Sequence, residues 1–197
     1  MCFLHGSKPF SVDNVRRGIV VFFRKELKFQ LSKVYASNKF DIVWMRLESD
    51  REAVHVCFFY ATGDPHPLPI RKKFYDIFTS KFSQFASLGR VYLIGDTNAR
   101  LGSVLGDKNI NGKFVTNPYT PLFMEFLEFS GATILNKIFC PGLPTYEFVN
   151  KKRSIIDMYL TNSLKSAVNF GIEPTPLGMN SQTCHKPLNT YFIMPHW

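Results

Sequence analysis

Cysteine is scarce in this chain of 197 residues, and its spacing argues against two classes of site. The four cysteines are Cys2, Cys57, Cys140 and Cys184, and no two of them form a C-x-x-C pair. Neither a zinc knuckle nor a dithiol redox motif is therefore indicated. Four cysteines in a chain of this length also do not suggest a disulfide framework. This cysteine usage favours a reducing compartment.

Long apolar runs are absent as well. No segment reaches the roughly 20 apolar residues that a membrane-spanning helix requires. The opening residues, MCFLHGSKPF, lack the apolar stretch of a secretory signal peptide. We therefore expect a soluble protein of the nucleus or cytoplasm that is neither secreted nor bound to a membrane.

Acidic residues are outnumbered by basic ones. The chain has 15 Asp and Glu against 24 Lys and Arg, which gives a net charge of +9. A surplus of this size favours a polyanionic partner, because phosphates attract such a surface over long range. The basic residues lie in small groups such as 71–73 and 151–153, so a solvated face is the alternative reading of each group.

The composition and the apolar patterns predict one α/β domain over residues 1–197. Hydrophobic residues make up 45% of the chain, which is enough for a large core. A helix is predicted over 69–89 from an apolar stripe at helical spacing, and a second helix from Thr120 to Gly131. Short apolar segments predict strands: GIVVFF, FDIVWMRL, AVHVCFFYA, RVYLIGD, ATILN, TYEFV, SIIDMYLTN and KPLNTYFIM. Interleaved strands and helices with hairpin-like pairs predict layered mixed sheets.

The strand RVYLIGD ends in a polar pair, Asp96 and Asn98. If the strand runs that far, the two side chains share a face, because alternate residues of a strand do. A carboxylate beside a carboxamide can hold and orient a water molecule or a metal ion. Gly95 allows a turn or the close approach of a ligand. The alternative is an ordinary turn after a strand.

Asp157 is a charge within the apolar segment SIIDMYL. Burying a charge is costly unless it is paired or hydrogen-bonded. An Arg or Lys, a metal ion or a histidine would satisfy it, and His185 in TCHKPL is a candidate partner. A structural ion pair is the alternative. Tyr60, at the end of the strand VCFFY, and Thr145, in PTYEF, are weaker candidates for a site at the same edge.

These segments, taken in order, resemble the endonuclease/exonuclease/phosphatase family, and most closely the endonuclease domains of non-LTR retrotransposons. The resemblance covers roughly residues 15–190. GDTNARLG and IIDMYL are its most specific parts, and the others are RRGIVVFF, FFYATGD, the segment from NINGKF to NKIF, PTYEF and TCHKPL.

The resemblance implies a role for each catalytic candidate. Asp96 and Asn98 would orient the attacking water. His185 would contact the scissile phosphate, Asp157 would hold the imidazole, and Tyr60 would touch the phosphate or assist the leaving group. A positioned water and a donor aimed at the phosphoryl oxygens are what phosphoester hydrolysis requires.

The resemblance also implies a fold, a cofactor and partners. The fold would be a DNase I-like sandwich of two mixed β-sheets flanked by helices. The activity would be hydrolysis of DNA phosphodiester bonds with Mg²⁺ or Mn²⁺. Thr145 and Arg100 would contact the substrate, and a reverse transcriptase domain would accompany this one in a parent polyprotein.

Two departures from the pattern concern the metal ion. The family's first strands, which carry an Asn and a metal-binding Glu, are not recognisable before RRGIVVFF. The family's Ser-Asp-His is Thr183-Cys184-His185 here, so the soft thiol of Cys184 replaces a hard carboxylate ligand. These departures predict an impaired enzyme. The alternatives are a nucleic-acid-binding remnant without activity, and a phosphatase of the same superfamily.

Overall fold

The computed structural model describes residues 2–5, 19–22, 29–49, 52–61, 67–147, 153–173 and 185–192. The chain forms two compact units, Met1–Asp96 and Thr97–Trp197. The assignment of residues 1–197 to one domain stays a prediction. Within the described ranges, no helix is both long enough and apolar enough to cross a membrane.

The first unit is built on a mixed sheet. Its elements are β1 (Cys2–His5), β2 (Ile19–Phe22), β3 (Gln30–Ala36), β4 (Asp41–Glu48), β5 (Ala53–Tyr60), α1 (Leu68–Ala86) and β6 (Arg90–Asp96). Strands β3, β4 and β5 are antiparallel neighbours, and β6 lies parallel to β5. Strands β1 and β2 form a separate antiparallel pair. The parallel pair requires a crossover, which α1 supplies.

Helix α1 agrees closely with the helix predicted over 69–89. Its apolar stripe recurs every three or four residues, so one face of the helix is buried. The Phe78 ring lies 4.7 Å from that of Phe59 on β5, and the Phe85 ring lies 4.6 Å from that of Trp44 on β4. Burial of each such side chain contributes about 1.5–3 kcal/mol. The frequent Phe residues in this unit therefore fill a core between helix and sheet. The buried members of the stripe are Phe74, Tyr75, Phe78, Phe82 and Phe85.

The second unit consists of short elements. They are α2 (Thr120–Ser130), β7 (Thr133–Ile134), α3 (Leu135–Phe139), β8 (Tyr146–Glu147), β9 (Arg153–Ser154), β10 (Asp157–Thr161), β11 (Ala167–Ile172) and β12 (Leu188–Phe192). Three antiparallel pairs join β7 to β10, β8 to β9, and β11 to β12.

Several elements of this unit differ from the sequence-based predictions. ATILN is a strand of only two residues followed by α3, and SIIDMYLTN is divided between β9 and β10. Helix α2 starts at Thr120 as predicted, but Tyr119 occupies the N-cap position. The Thr120 hydroxyl instead donates to the Arg100 carbonyl oxygen. The predicted strand TYEFV is observed at 146–147, and its last residues lie outside the described ranges.

Candidate active site

Asp157 and His185 are hydrogen-bonded to each other, as the sequence predicted. Nδ1 of His185 lies 3.1 Å from Oδ1 and 3.0 Å from Oδ2 of Asp157. An ionised carboxylate only accepts hydrogen bonds, so Nδ1 carries the proton in this pair. Nε2 is then the ring nitrogen available to a ligand. The Asp157 side chain is 14% exposed and that of His185 is 46% exposed, so the imidazole is the member open to solvent.

Two buried side chains fix the backbone at Asp157. The Thr145 hydroxyl oxygen accepts hydrogen bonds from the backbone N–H groups of Ile156 (3.1 Å) and Asp157 (3.0 Å). The Asn136 amide donates to the Asp157 carbonyl oxygen at 3.1 Å. Thr145 and Asn136 are almost completely buried. The predicted contact of Thr145 with substrate stays a prediction, whereas its observed contacts hold Asp157 in place.

The segment that carries His185 lies beside β8. His185 forms a β-bridge with Tyr146, and the two rings are 4.9 Å apart in an edge-to-face arrangement. The Lys186 N–H donates to the Thr145 carbonyl oxygen at 2.7 Å. Thr145 is therefore connected to both members of the pair. Cys184, the predicted degenerate metal position, lies outside the described residues.

Tyr60 and Asp96 are neighbours across two parallel strands of the first unit. They are register partners at the ends of β5 and β6, so their side chains project from the same face of the sheet. The Asp96 carbonyl oxygen accepts from the N–H of Ala61 at 2.8 Å, and Asp96 is buried. Gly95 lets these strands approach, because a Cβ at this position would overlap the Phe59 carbonyl oxygen.

Asn98 does not continue the strand that contains Asp96. Strand β6 ends at Asp96, and Asn98 has a left-handed backbone with φ of 49°. The condition for the two side chains to share a strand face, that the strand continues to Asn98, is therefore not met, because the backbone turns first. The Asn98 carbonyl oxygen accepts from the Asn117 amide at 2.6 Å. Thr97 donates to the Ile156 carbonyl oxygen from both its N–H and its hydroxyl, each at 2.9 Å.

Arg100 is held by protein groups. Its guanidinium makes a bidentate pair with the buried carboxylate of Asp107, at 2.8 and 2.7 Å. Nη2 also donates to the Arg153 carbonyl oxygen at 2.9 Å. Arg100 therefore ties the loop around Asp107 to strand β9. Its predicted contact with substrate stays a prediction.

Three residues near Asp157 and His185 were not identified from the sequence. Asn136, Tyr146 and Lys186 contact Asp157, His185 or Thr145, yet each stood in a segment interpreted as an ordinary strand. Glu147 accepts from Lys186 at 3.2 Å and from Arg153 at 2.8 Å. The hydrogen bond from Lys186, with that from Arg153, lowers the pKa of Glu147. Two cations therefore share one carboxylate next to His185.

Comparisons with known proteins identify the fold. No protein-family model and no curated protein matches the chain. Among solved structures, the endonuclease domain of TRAS1, a telomere-specific non-LTR retrotransposon, is similar over 99% of this chain and 81% of its own, at 14% identity and a TM-score of 0.73. The 3′ phosphatase NExo from Neisseria, bound to a product DNA hairpin, is similar over 98% and 79%, at 13% identity and a TM-score of 0.68.

A third similar structure is the AP endonuclease LMAP from Leishmania major. It aligns with 87% of this chain and 63% of its own length, at 14% identity and a TM-score of 0.65. The three proteins have different activities, so what they share with this chain is architecture. The predicted layered α/β fold is confirmed, and the chain has the DNase I-like fold of the endonuclease/exonuclease/phosphatase proteins.

Proposed function

We propose that this chain hydrolyses phosphodiester bonds in DNA, with His185 and Asp157 at the centre of its active site. The observation that carries the proposal is the pairing of His185 Nδ1 with the Asp157 carboxylate at 3.0 Å, beneath an exposed imidazole. The carboxylate fixes the ring orientation and holds the proton on Nδ1. When the second ring nitrogen is also protonated, Nε2–H can donate to a phosphoryl oxygen. A donor placed where negative charge develops is the largest single contribution to many phosphoryl and acyl transfers.

The remaining roles follow from the resemblance and from chain position. Asp96 and Asn98 would orient the attacking water, and Tyr60 would contact the phosphate. Tyr60 and Asp96 are register partners at the ends of their strands, which supports a shared task for these two. The net charge of +9 supports DNA as the substrate, because phosphate contacts release counterions.

A divalent ion fits part of this residue set. Asp96 provides a hard carboxylate oxygen at the end of β6, which suits Mg²⁺ or Mn²⁺. When bound, the ion would neutralise charge on the phosphate. The thiol of Cys184 is a poor ligand for either metal, which predicts weak ion binding.

Plasmid nicking tests the proposal. The purified chain should convert supercoiled plasmid to nicked circles with Mg²⁺ or Mn²⁺ and should not do so with EDTA. Because His185 would contact the transition state, His185→Ala should lower the nicking rate by about 10²-fold or more. Ser80→Ala, on the exposed face of α1, is the control and should keep the rate.

Equal nicking by the His185→Ala variant would contradict the catalytic assignment. Cys184 stands where the family pattern has a carboxylate ligand. This difference favours a second candidate function, DNA binding without hydrolysis. A chain that binds DNA and does not nick it with either ion would support that candidate. A phosphomonoester assay tests the phosphatase alternative, which predicts release of phosphate from small esters.

A further inference from the structure

A cavity of about 420 Å³ lies in the second unit, beside the proposed active site. Its walls come from the loop 106–110, the turn 142–144 and the segment 153–155. Ile110, Pro144 and Ile155 provide apolar surface, while Lys108 and Arg153 provide positive charge. Neither Asp157 nor His185 lines the cavity, so it is a separate feature of the same unit.

The cavity carries an excess of positive charge. Asp107 contributes a carboxylate to the lining, but Arg100 neutralises it through two hydrogen bonds. Lys108 has no carboxylate partner in the part of the chain that the structure describes, and its ammonium lies 5.0 Å from the centre of the Phe114 ring. The lining therefore combines one neutralised carboxylate with two cationic side chains, Lys108 and Arg153.

Arg153 belongs to a larger basic group. It pairs with Glu147 at 2.8 Å, and Glu147 also pairs with Lys186 at 3.2 Å. One carboxylate between two cations leaves a net charge of +1. Lys186 directly follows His185 in the chain, so this charged group connects the histidine segment to the cavity.

The distance from the cavity to the Asp157 backbone is short. Ile155 lines the cavity, and Asp157 follows two residues later. Two residues of backbone span at most about 7 Å, so Asp157 lies no farther than this from Ile155. This is the scale on which successive phosphates follow one another along a nucleic-acid strand.

We propose that this cavity binds the nucleotide next to the scissile phosphate of DNA. The side chains of Lys108 and Arg153 contact its phosphate oxygens, and the apolar wall packs against the sugar and base. Arginine suits this task because its planar donors match phosphate geometry, and lysine adds a mobile point charge. The inference rests on the proposed function in taking DNA as the ligand.

The salt dependence of DNA binding tests the inference without requiring cleavage. Binding of a fluorescent DNA duplex to the full chain is measured by anisotropy in EDTA, over a range of salt concentrations. For Lys108→Gln and Arg153→Gln, each phosphate contact that is lost should lower the slope of log K against log salt by about 0.9. The double variant should lose close to twice as much.

Lys165→Gln is the matched control. Lys165 is an exposed lysine of the same unit that does not line the cavity, so its replacement removes equal charge. Its slope should stay close to that of the unmodified chain. A double variant with the same slope and affinity as the control would overturn the inference.

The result is separable from that of the nicking assay. If the chain fails to nick plasmid but the double variant loses salt dependence, the cavity binds DNA and the proposed hydrolysis fails. If the chain nicks plasmid and the slopes do not change, the hydrolysis stands and the cavity assignment fails. Inorganic phosphate is added as a competitor, and displacement of the duplex at micromolar phosphate would show a small-anion site instead.

Discussion

Gly95 controls how closely two strands approach at the edge where Asp96 lies. Its register partner on β5 is Phe59, whose carbonyl oxygen occupies the space that a Cβ would fill. The obstacle is backbone, which cannot move aside as a flexible side chain would. The sequence suggested that Gly95 permits a turn or a close ligand, and the structure shows a neighbouring strand in that role.

Replacing Gly95 should therefore destabilise the first unit. We expect Gly95→Ala to lower the free energy of unfolding by about 3 kcal/mol, because the strands must separate at their ends. Gly131→Ala is the comparison: its Cβ meets open space, and only the left-handed φ of 61° opposes it, at about 1–2 kcal/mol. Urea unfolding of both variants measures the difference. A loss for Gly95→Ala no larger than that for Gly131→Ala would contradict the packing argument.

At the scale of elements, side-chain hydrogen bonds to the backbone connect the short strands and helices of the second unit. In longer strands, backbone pairing would make these connections. Strands β8 and β9 have two residues each, and the Thr145 hydroxyl joins the start of β8 to the start of β10. Asn136 similarly connects α3 to β10, accepting from the Tyr159 N–H and donating to the Asp157 carbonyl oxygen.

Removing the Thr145 hydroxyl should loosen β10 at Asp157. Thr145→Val keeps the shape of the side chain but leaves two buried N–H groups without an acceptor, which should cost about 1–3 kcal/mol of stability. Amide hydrogen exchange of Ile156 and Asp157 should also accelerate. Thr145→Ser keeps the hydroxyl oxygen and loses one methyl group, which should lower the stability by about 0.8 kcal/mol. In this variant the amides of Ile156 and Asp157 should stay protected from exchange. Equal exchange in the Val and Ser variants would show that the hydroxyl does not hold this strand.

The sequence predicted some elements and contacts better than others, for identifiable reasons. RVYLIGD predicted the bounds of β6, because a buried parallel strand is continuously apolar. The Asp157–His185 contact was predictable because a charge in an apolar segment requires a partner. Strand β3 was missed because four of its seven residues are exposed and none is buried, so it has no long apolar run. The roles of Thr145 and Asn136 were also missed, since a hydrogen bond to distant backbone leaves no local pattern.

At the scale of the whole molecule, pH should affect stability through a buried histidine outside the candidate site. His55 is 3% exposed and stacks on the Phe85 ring at 4.9 Å. Burial, and secondarily the charge of Arg46, lower its pKa below the usual value of 6.5. The folded state therefore favours the neutral imidazole.

The sign of the effect follows from proton linkage. Between the lowered pKa and about 6.5, the unfolded chain binds more protons at this position than the folded chain. The contribution of His55 to stability is therefore complete above about pH 6.5 and declines as the pH falls to the lowered pKa. The free energy of unfolding changes through His55 by at most about 1.4 kcal/mol per pH unit.

Urea unfolding across pH 4–8 measures this contribution. We expect the free energy of unfolding of His55→Phe to decrease less than that of the wild type below about pH 6.5, because no proton can then bind at this position. His185→Ala, at the candidate site, should show the same decrease as the wild type over this pH range. If wild type and His55→Phe lose stability in parallel as the solution is acidified, His55 is not the group responsible.

The contact between Arg100 and Asp107 has an electrostatic consequence for the cavity beside it. With Arg100 in place, the wall formed by Asp107 is neutral, and the cations Lys108 and Arg153 in the lining set the sign of the potential. Without the guanidinium, the same wall would present a bare carboxylate to any phosphate that entered. Through its contact with Asp107, Arg100 can therefore decide whether the cavity attracts or repels an anion.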